Sequence, residues 1–316
     1  MDRSDFLKIT GSAAAAIVLP GFNFDRTIAA RKEVKTPLCV FSKFLHFLNC
    51  EDMGEALAEM GFDGVDLAVR PGGHVNITNV RKELPLAVKA LNRNGIQVPM
   101  MVTSISRVNS TSAADILQTA SDQGIKFYRT GYYQYDFAQT IQQNLDMHKK
   151  TVEELAAMNE KYGIHGGYQN HSGTNVGAPV WDLFELMKDV DPRFMGIQYD
   201  VRHAVTEGGY SWMLGMKRIS PWIRTIDVKD FVWNKNDKGE WRHQSVPLGE
   251  GMVNYDDFLK EYYTLNIEAP VSIHYEYNLG GAENGSTQLT MSKKEIYACM
   301  KKDLDFFRGK LLNYQK

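Results

Sequence analysis

The chain has 316 residues, 43% of them hydrophobic and 23% charged, a composition of folded globular proteins and not of disordered or fibrous ones. Its 36 basic and 38 acidic residues leave a formal net charge of -2, which removes the general electrostatic case for nucleic acid. No apolar run reaches the roughly 20 residues of a membrane-spanning helix, and Cys39, Cys50 and Cys299 stand in no paired or metal-type spacing, so they read as free thiols and not as a disulfide framework.

The opening stretch, "MDRSDFLKITGSAAAAIVLPGF", has a short charged start, a small-residue apolar segment and a Pro-Gly break, the layout of a secretory signal. Arg3, Phe6, Leu7 and Lys8 match the pattern of a twin-arginine export signal, with Ser4 where the second arginine would stand. The expectation is an export signal and linker over 1–34, an address in the bacterial periplasm, and a catalytic domain over 35–316. The alternative is a disordered or loosely helical tail on a cytoplasmic protein.

From Pro37 onward, β-like runs alternate with longer amphipathic ones. Strands are predicted at 38–42, 64–69, 97–104, 126–133, 164–171, 194–201, 223–231 and 270–277. Helices are predicted at 51–61, 77–95, 111–124, 138–163 and 292–309, four of them closing on Gly61, Gly95, Gly124 and Gly163. Eight strands with intervening helical segments fit an α/β fold, a single (β/α)8 TIM barrel. A doubly wound sheet would need an opening glycine-rich fingerprint, which "VRPGGHV" does not supply. The polar stretch 234–244, with Lys238-Gly239 at its centre, reads as a loop or short hairpin placed to act as a lid at the mouth.

In such barrels chemistry sits at the C-terminal ends of the strands. Alternation within each strand puts Gln169 and His171 on one face, Gln198, Asp200 and Arg202 on another, then Thr225, Asp227 and Lys229, and last Ser272, His274 and Glu276. Asp66, Arg70, His74 and Arg129 join them from the first half of the chain. Inward charges need a balance. One balance is a divalent cation (Mn, Zn, Mg or Fe) on Gln169, Asp200, Asp227 and His274. The other is a metal-free mouth held by hydrogen bonds and by ion pairs of Lys229 and Arg129.

At "GFDGVDLAV", "YQNHSG", "YDVRHA", "IDVKD" and "VPLGEGMVNYDDFLKEYY", in that order, the sequence resembles the sugar isomerase/epimerase family of xylose isomerase-like barrels, which also contains metal-dependent endonucleases of abasic DNA. The resemblance runs from about Pro37 to Phe307. It implies a metal held after strands five to eight by glutamate, aspartate, histidine and glutamate, with the two glutamates as acid/base groups. Here Gln169, Asp200, Asp227 and His274 stand at those places, and Asp200 with His203 matches the family's D-x-x-H pattern. A glutamine takes up no proton at neutral pH, so the family's glutamate pair is lost.

The acid/base expectation therefore moves to Glu276 on one side and His171, His203 or Lys229 on the other. Arg129, Arg70, His74 and Trp233 are the expected substrate contacts, with bracing of the barrel and ring packing as the ordinary alternatives. His46, His148, His165 and His243 have no cluster around them and read as structural or exposed. The expected function is a metal-dependent isomerase or epimerase acting on a small carbohydrate by proton abstraction beside a carbonyl. A keto-sugar lyase and a carbohydrate-binding barrel without catalysis are the alternatives, and a phosphodiester hydrolase lacks the basic face it would need. Neither a nucleic-acid partner nor a membrane span is expected, and whether the chain forms a homo-oligomer is left open.

Overall fold

Phe41 at the end of the first strand lies opposite Asp66 on the second, and this parallel register repeats around a closed ring of eight strands. The structure, a computed structural model, describes residues 36–314. The expected export signal, 1–34, lies outside the described residues. In chain order the elements are β1 (Leu38–Phe41), α1 (Cys50–Met60), β2 (Gly64–Ala68), α2 (Val80–Arg93), β3 (Gln97–Val102), α3 (Ala113–Asp122), β4 (Phe127–Arg129), α4 (Ile141–Tyr162) and β5 (His165–Gln169). There follow α5 (Val180–Met187), β6 (Met195–Asp200), α6 (Val201–Gly208), α7 (Trp212–Ile219), β7 (Ile223–Val228), β8 (Asp230–Lys235), β9 (Trp241–Val246), α8 (Tyr255–Thr264), β10 (Val271–Ile273) and α9 (Lys293–Tyr314). The barrel order is β1-β10-β7-β6-β5-β4-β3-β2, with β8 and β9 forming a separate two-stranded sheet. The TIM barrel expected from the alternation is therefore the fold.

The helices begin and end where their local chemistry dictates. The Asn49 side chain accepts from Asp52 N at the start of α1, and Gly61 takes the left-handed conformation (φ 90°) at its end. A reciprocal Thr140–Gln143 capping box starts α4, and Gly163 (φ 62°) stops it. Along the strands, apolar residues such as Val65, Leu67, Ile197, Tyr199, Ile226, Val228 and Ile273 are buried in the continuous core, and the residues between them are polar. Among the described residues no helix is long and apolar enough to cross a membrane.

Several boundaries differ from expectation, three of them in ways that bear on the site. The predicted strand 223–231 breaks at Lys229, because the barrel ladder stops at Val228 and Asp230 begins an antiparallel hairpin with β9. Asp230 holds this break: its carboxylate accepts from the backbone N–H groups of Gly249, Gly251 and Val253 at 3.0 to 3.1 Å. The predicted strand 270–277 is paired only over Val271–Ile273, yet its alternation persists, with Tyr275 donating outward to Met300 O and His274 reaching Asp227 inside. The fourth strand shrinks to Phe127–Arg129. The segment 234–244 is the turn and second strand of the hairpin, as one of its two readings had it.

Candidate active site

The parallel ladders set functional side chains at matching heights. Asp200 is the register partner of Asp227, Gln169 of Gln198, and Ser272 of Asp227. Gln169, Gln198, Asp200, Asp227 and Ser272 are all fully buried. The Gln169 amide nitrogen donates to Asp200 Oδ2 at 3.0 Å and to Asp227 Oδ2 at 2.5 Å. Its oxygen accepts from Arg129 Nη1 at 2.9 Å and from the Tyr132 hydroxyl. Gln198 Nε2 donates to both Asp227 oxygens at 2.8 and 2.9 Å.

Lys229 supplies the countercharge. Its ammonium lies 3.2 Å from Asp200 Oδ2 and 2.8 Å from Glu276 Oε1, with the lysine side chain 3% exposed and that of Glu276 32% exposed. Burial disfavours the ammonium, but Asp200 and Glu276 outweigh it and raise the Lys229 pKa. Burial likewise acts against the Glu276 carboxylate, and Lys229 overcomes it, holding Glu276 below the usual carboxylate range. Asp200 is raised by burial in spite of Lys229. Asp227 is lowered, because His274, Arg129 and the Gln198 hydrogen bonds exceed the effect of its burial.

Two histidines flank this pair. His171 and His203 have ring centroids 4.1 Å apart. His171 Nδ1 lies 2.9 Å from the Ser172 carbonyl, which only accepts, so Nδ1 carries the proton and Nε2 presents a lone pair. Burial, then the Lys229 charge, lowers the pKa of both rings, so both are neutral at pH 7. His203 N donates to Asp200 Oδ1 at 3.0 Å, which caps α6, and His203 Nε2 lies 3.6 Å from Asp200 Oδ2. Asn170 ties the ends of β5 and β6 together through Asp200 N and O, at 2.8 and 2.9 Å.

The expected substrate contacts divide. Arg129 lies inside the buried cluster, and its guanidinium and that of Arg70 stand 5.4 and 5.2 Å from the Phe41 ring. His74 is elsewhere: it packs on His46 with centroids 4.8 Å apart, and its Nε2 lies 3.3 Å from Leu45 O. Trp233 is on the hairpin, 40% exposed, edge-on to His243. His243 needs correction as an unclustered residue, because Arg202 Nη2 lies 2.7 Å from its Nδ1. Tyr132, Asn170, Ser172 and Gln198 also belong to the site. Alternation had set Gln198 on the face of Asp200, whereas nothing in the spacing of Tyr132, Asn170 and Ser172 distinguished them from ordinary loop residues.

Among the described residues, Asp66, Asp227 and His274 form a group able to hold a metal ion, with one ligand atom from each within 4.8 Å of the others. His274 Nε2 lies 3.4 Å from Asp227 Oδ1 and has no hydrogen-bond partner, and Asp66 Oδ1 has none either. Ser272 Oγ donates to the other Asp66 oxygen at 3.1 Å. Burial, then the neighbouring Asp227 charge, pushes the Asp66 carboxyl up to about 7. One Asp66 oxygen and His274 Nε2 without partners, together with the Asp227 carboxylate, make a donor set that fits a divalent cation. This group shares Asp227 and His274 with the expected set. Gln169 directs its NH₂ at the carboxylates, and Asp200 is paired with Lys229.

The same architecture recurs in solved structures. The probable 3-DHS dehydratase AsbF of petrobactin synthesis from Bacillus anthracis is 16% identical, with 85% of this chain and 98% of that one covered and a TM-score of 0.63. The 3-keto-D-glucoside 4-epimerase YcjR of E. coli is 12% identical, with 87% and 100% covered and a TM-score of 0.64. A xylose isomerase-like TIM barrel protein from Mycobacterium smegmatis, in complex with magnesium, is 14% identical, with 86% and 99% covered and a TM-score of 0.61. At these identities the likeness is one of fold. The sequence model of the family described as xylose isomerase-like TIM barrel matches residues 55–294, the span that carries Asp66, Gln169, Asp200, Asp227, Lys229, His274 and Glu276. This chain belongs to the xylose isomerase-like TIM barrel family.

Proposed function

We propose that the chain is an isomerase or epimerase-type enzyme that moves a proton at the carbon beside the carbonyl of a small carbohydrate. The observation that supports this most is the Lys229 ammonium held between Asp200 and Glu276, with the Glu276 carboxylate partly open to the barrel mouth. A fixed cation beside an accessible carboxylate is what enolate chemistry requires: one group stabilises oxygen charge while the other exchanges the proton. His171, on the β5 side of Lys229, offers the Nε2 lone pair as the second proton acceptor, while Glu276 comes from the β10 side. Arg129 and Arg70 orient substrate oxygens.

Asp66, Asp227 and His274 would hold a divalent cation, of which Mg, Mn, Zn and Fe all suit the donor set, and the ion would supply Lewis-acid stabilisation of oxygen charge. A keto-sugar lyase is the second reading. The replacement of a carboxylate by Gln169 leaves proton abstraction and loss of a β-substituent possible with one base, whereas inversion needs two. A dehydratase and an epimerase both occur among the structures with this fold. An export signal over 1–34 would bring the enzyme unphosphorylated sugars or glycosides, a reading that detection of the protein in the cytoplasm alone would remove.

The test is a panel of free, phosphorylated and 3-keto sugars incubated in D₂O with each of the four ions and followed by NMR. Deuterium entering beside the carbonyl, with a new epimer, isomer or elimination product, is the expected result, and it is lost in Glu276→Gln. No exchange and no product with any sugar or ion, beside measurable binding of one of them, would leave a carbohydrate-binding barrel.

A further inference from the structure

Arg202, in the first turn of α6, is only 1% exposed and is the bulkiest of the fully buried side chains. Its charge has no carboxylate partner among the contacts of the described residues. Nη1 instead lies 2.9 Å from His203 Nδ1 and 3.3 Å from Ser172 Oγ, Nη2 lies 2.7 Å from His243 Nδ1, and the guanidinium stands 5.3 Å from the Phe231 ring centroid. His203 is at the candidate active site, while His243 and Phe231 belong to the β8–β9 hairpin. One planar group therefore joins the site to the hairpin.

A guanidinium has five N–H donors and no acceptor, and it keeps its proton in proteins. A ring nitrogen 2.9 Å from it must therefore present a lone pair. The same nitrogen also receives Ser172 N–H at 3.2 Å and faces Ser172 Oγ at 2.6 Å. With Nδ1 of His203 an acceptor, the ring's single proton is on Nε2, the atom that faces Asp200 Oδ2 at 3.6 Å and has no hydrogen-bond partner. The neighbouring His171 has the opposite tautomer, imposed by the Ser172 carbonyl. Ser172 thus addresses both rings with opposite instructions, and Arg202 reinforces one of them.

We propose that Arg202 is a positioning residue that fixes His203 as the Nε2–H tautomer, a hydrogen-bond donor to a substrate oxygen and neither a base nor a metal ligand, and that through His243 it latches the β8–β9 hairpin to the same ring. The substrate part rests on the carbohydrate reading above; the tautomer and the latch do not. One guanidinium thus serves both histidines from one fixed plane, Nη1 holding the ring and Nη2 the hairpin. A lysine has a single point charge and cannot span the three acceptors.

The test uses the full chain with 15N-labelled histidine and long-range 1H–15N spectra, His203 being assigned by loss of its signals in His203→Asn. In the wild type, His203 is expected as the Nε2–H form with Nδ1 unprotonated. Arg202→Met is expected to release the ring to a mixture of tautomers and to speed amide exchange across 231–246 by roughly tenfold or more, the consequence of losing a charged hydrogen bond. His243→Ala, which leaves the buried arginine in place, is expected to speed hairpin exchange by a similar factor and to leave the His203 tautomer unchanged. A wild-type His203 protonated on Nδ1 overturns the proposal even if Arg202→Met does not fold. Hairpin exchange unaltered in His243→Ala removes the latch. The expected tautomer in a chain that turns over no carbohydrate would overturn the proposed function and leave the network standing.

Discussion

Asp200 and Asp227 are register partners across β6 and β7, and one amide, Gln169 Nε2, donates to an oxygen of each at 3.0 and 2.5 Å. Two carboxylates side by side in a buried place repel unless donors or cations separate them. Gln169 does for the pair what a carboxylate at that position could not do without a bound ion.

Gln169→Glu is therefore expected to lower stability in EDTA by about 2 kcal/mol or more, since two buried hydrogen bonds become contacts between like charges. Addition of Mn or Mg is expected to return much of the loss, because a third carboxylate suits a hard cation. Thermal melts of both proteins with and without ion check this. A variant as stable as the wild type in EDTA would show that Gln169 does not separate the carboxylates.

Lys229 is the cation of the pair with Asp200 and Glu276. Lys229→Met strands Asp200 without a countercharge, at a cost of about 3 kcal/mol. Adding Asp200→Asn to that variant removes the unpaired charge and is expected to recover a good part of the loss. Urea titrations of the two singles and the double form a cycle, and strict additivity would contradict a direct coupling. Sugar turnover is expected to fall at least 100-fold in Lys229→Met.

The donor set of Asp66, Asp227 and His274 predicts where metal is lost. His274→Ala and Asp66→Asn are each expected to lower affinity for Mn or Zn by tenfold or more, measured by calorimetry and by metal content after dialysis. His74→Ala, whose ring lies beside His46 and apart from this set, is expected to change neither. Equal binding by all three variants and the wild type would place the ion elsewhere.

His165, at the start of β5, is 4% exposed and packs against Phe127, with ring centroids 5.7 Å apart. Burial, then the Arg224 charge, lowers its pKa to about 3 from an ordinary 6.5. Between these values the unfolded chain binds a proton that the folded chain refuses. Stability from this residue is therefore complete above pH 6.5 and is lost as the pH falls toward 3, by as much as about 4 kcal/mol. His165→Leu is expected to flatten that part of the stability curve relative to wild type. Parallel curves for the two proteins from pH 7 to pH 4 would refute the assignment.

Much of this was legible from local pattern. Strand alternation around Asp200, Asp227 and His274 depends only on the two-residue period of extended chain, so the inward set follows from sequence even where, past Ile273, the ladder has ended. The helix ends at Gly61 and Gly163 were equally visible, because a left-handed backbone selects glycine. Family motifs added the match of Asp200 with His203. What those signals could not convey was distance between elements remote in the chain.

The sequence by itself determined the eightfold alternation, the barrel and the polar character of the strand ends, since each is a matter of local period and residue chemistry. The tertiary structure alone decided which of those polar groups face one another. It joined Asp66 of β2 to Asp227 and His274, more than 150 residues away, paired Lys229 with Asp200 and not with solvent, and left His74 outside the cluster. It also drew His243, which the sequence alone left without a cluster, onto Arg202. The physical reason is barrel closure: β1 pairs with both β2 and β10, and that ring fixes register and inter-strand spacing for side chains whose positions in the chain are unrelated.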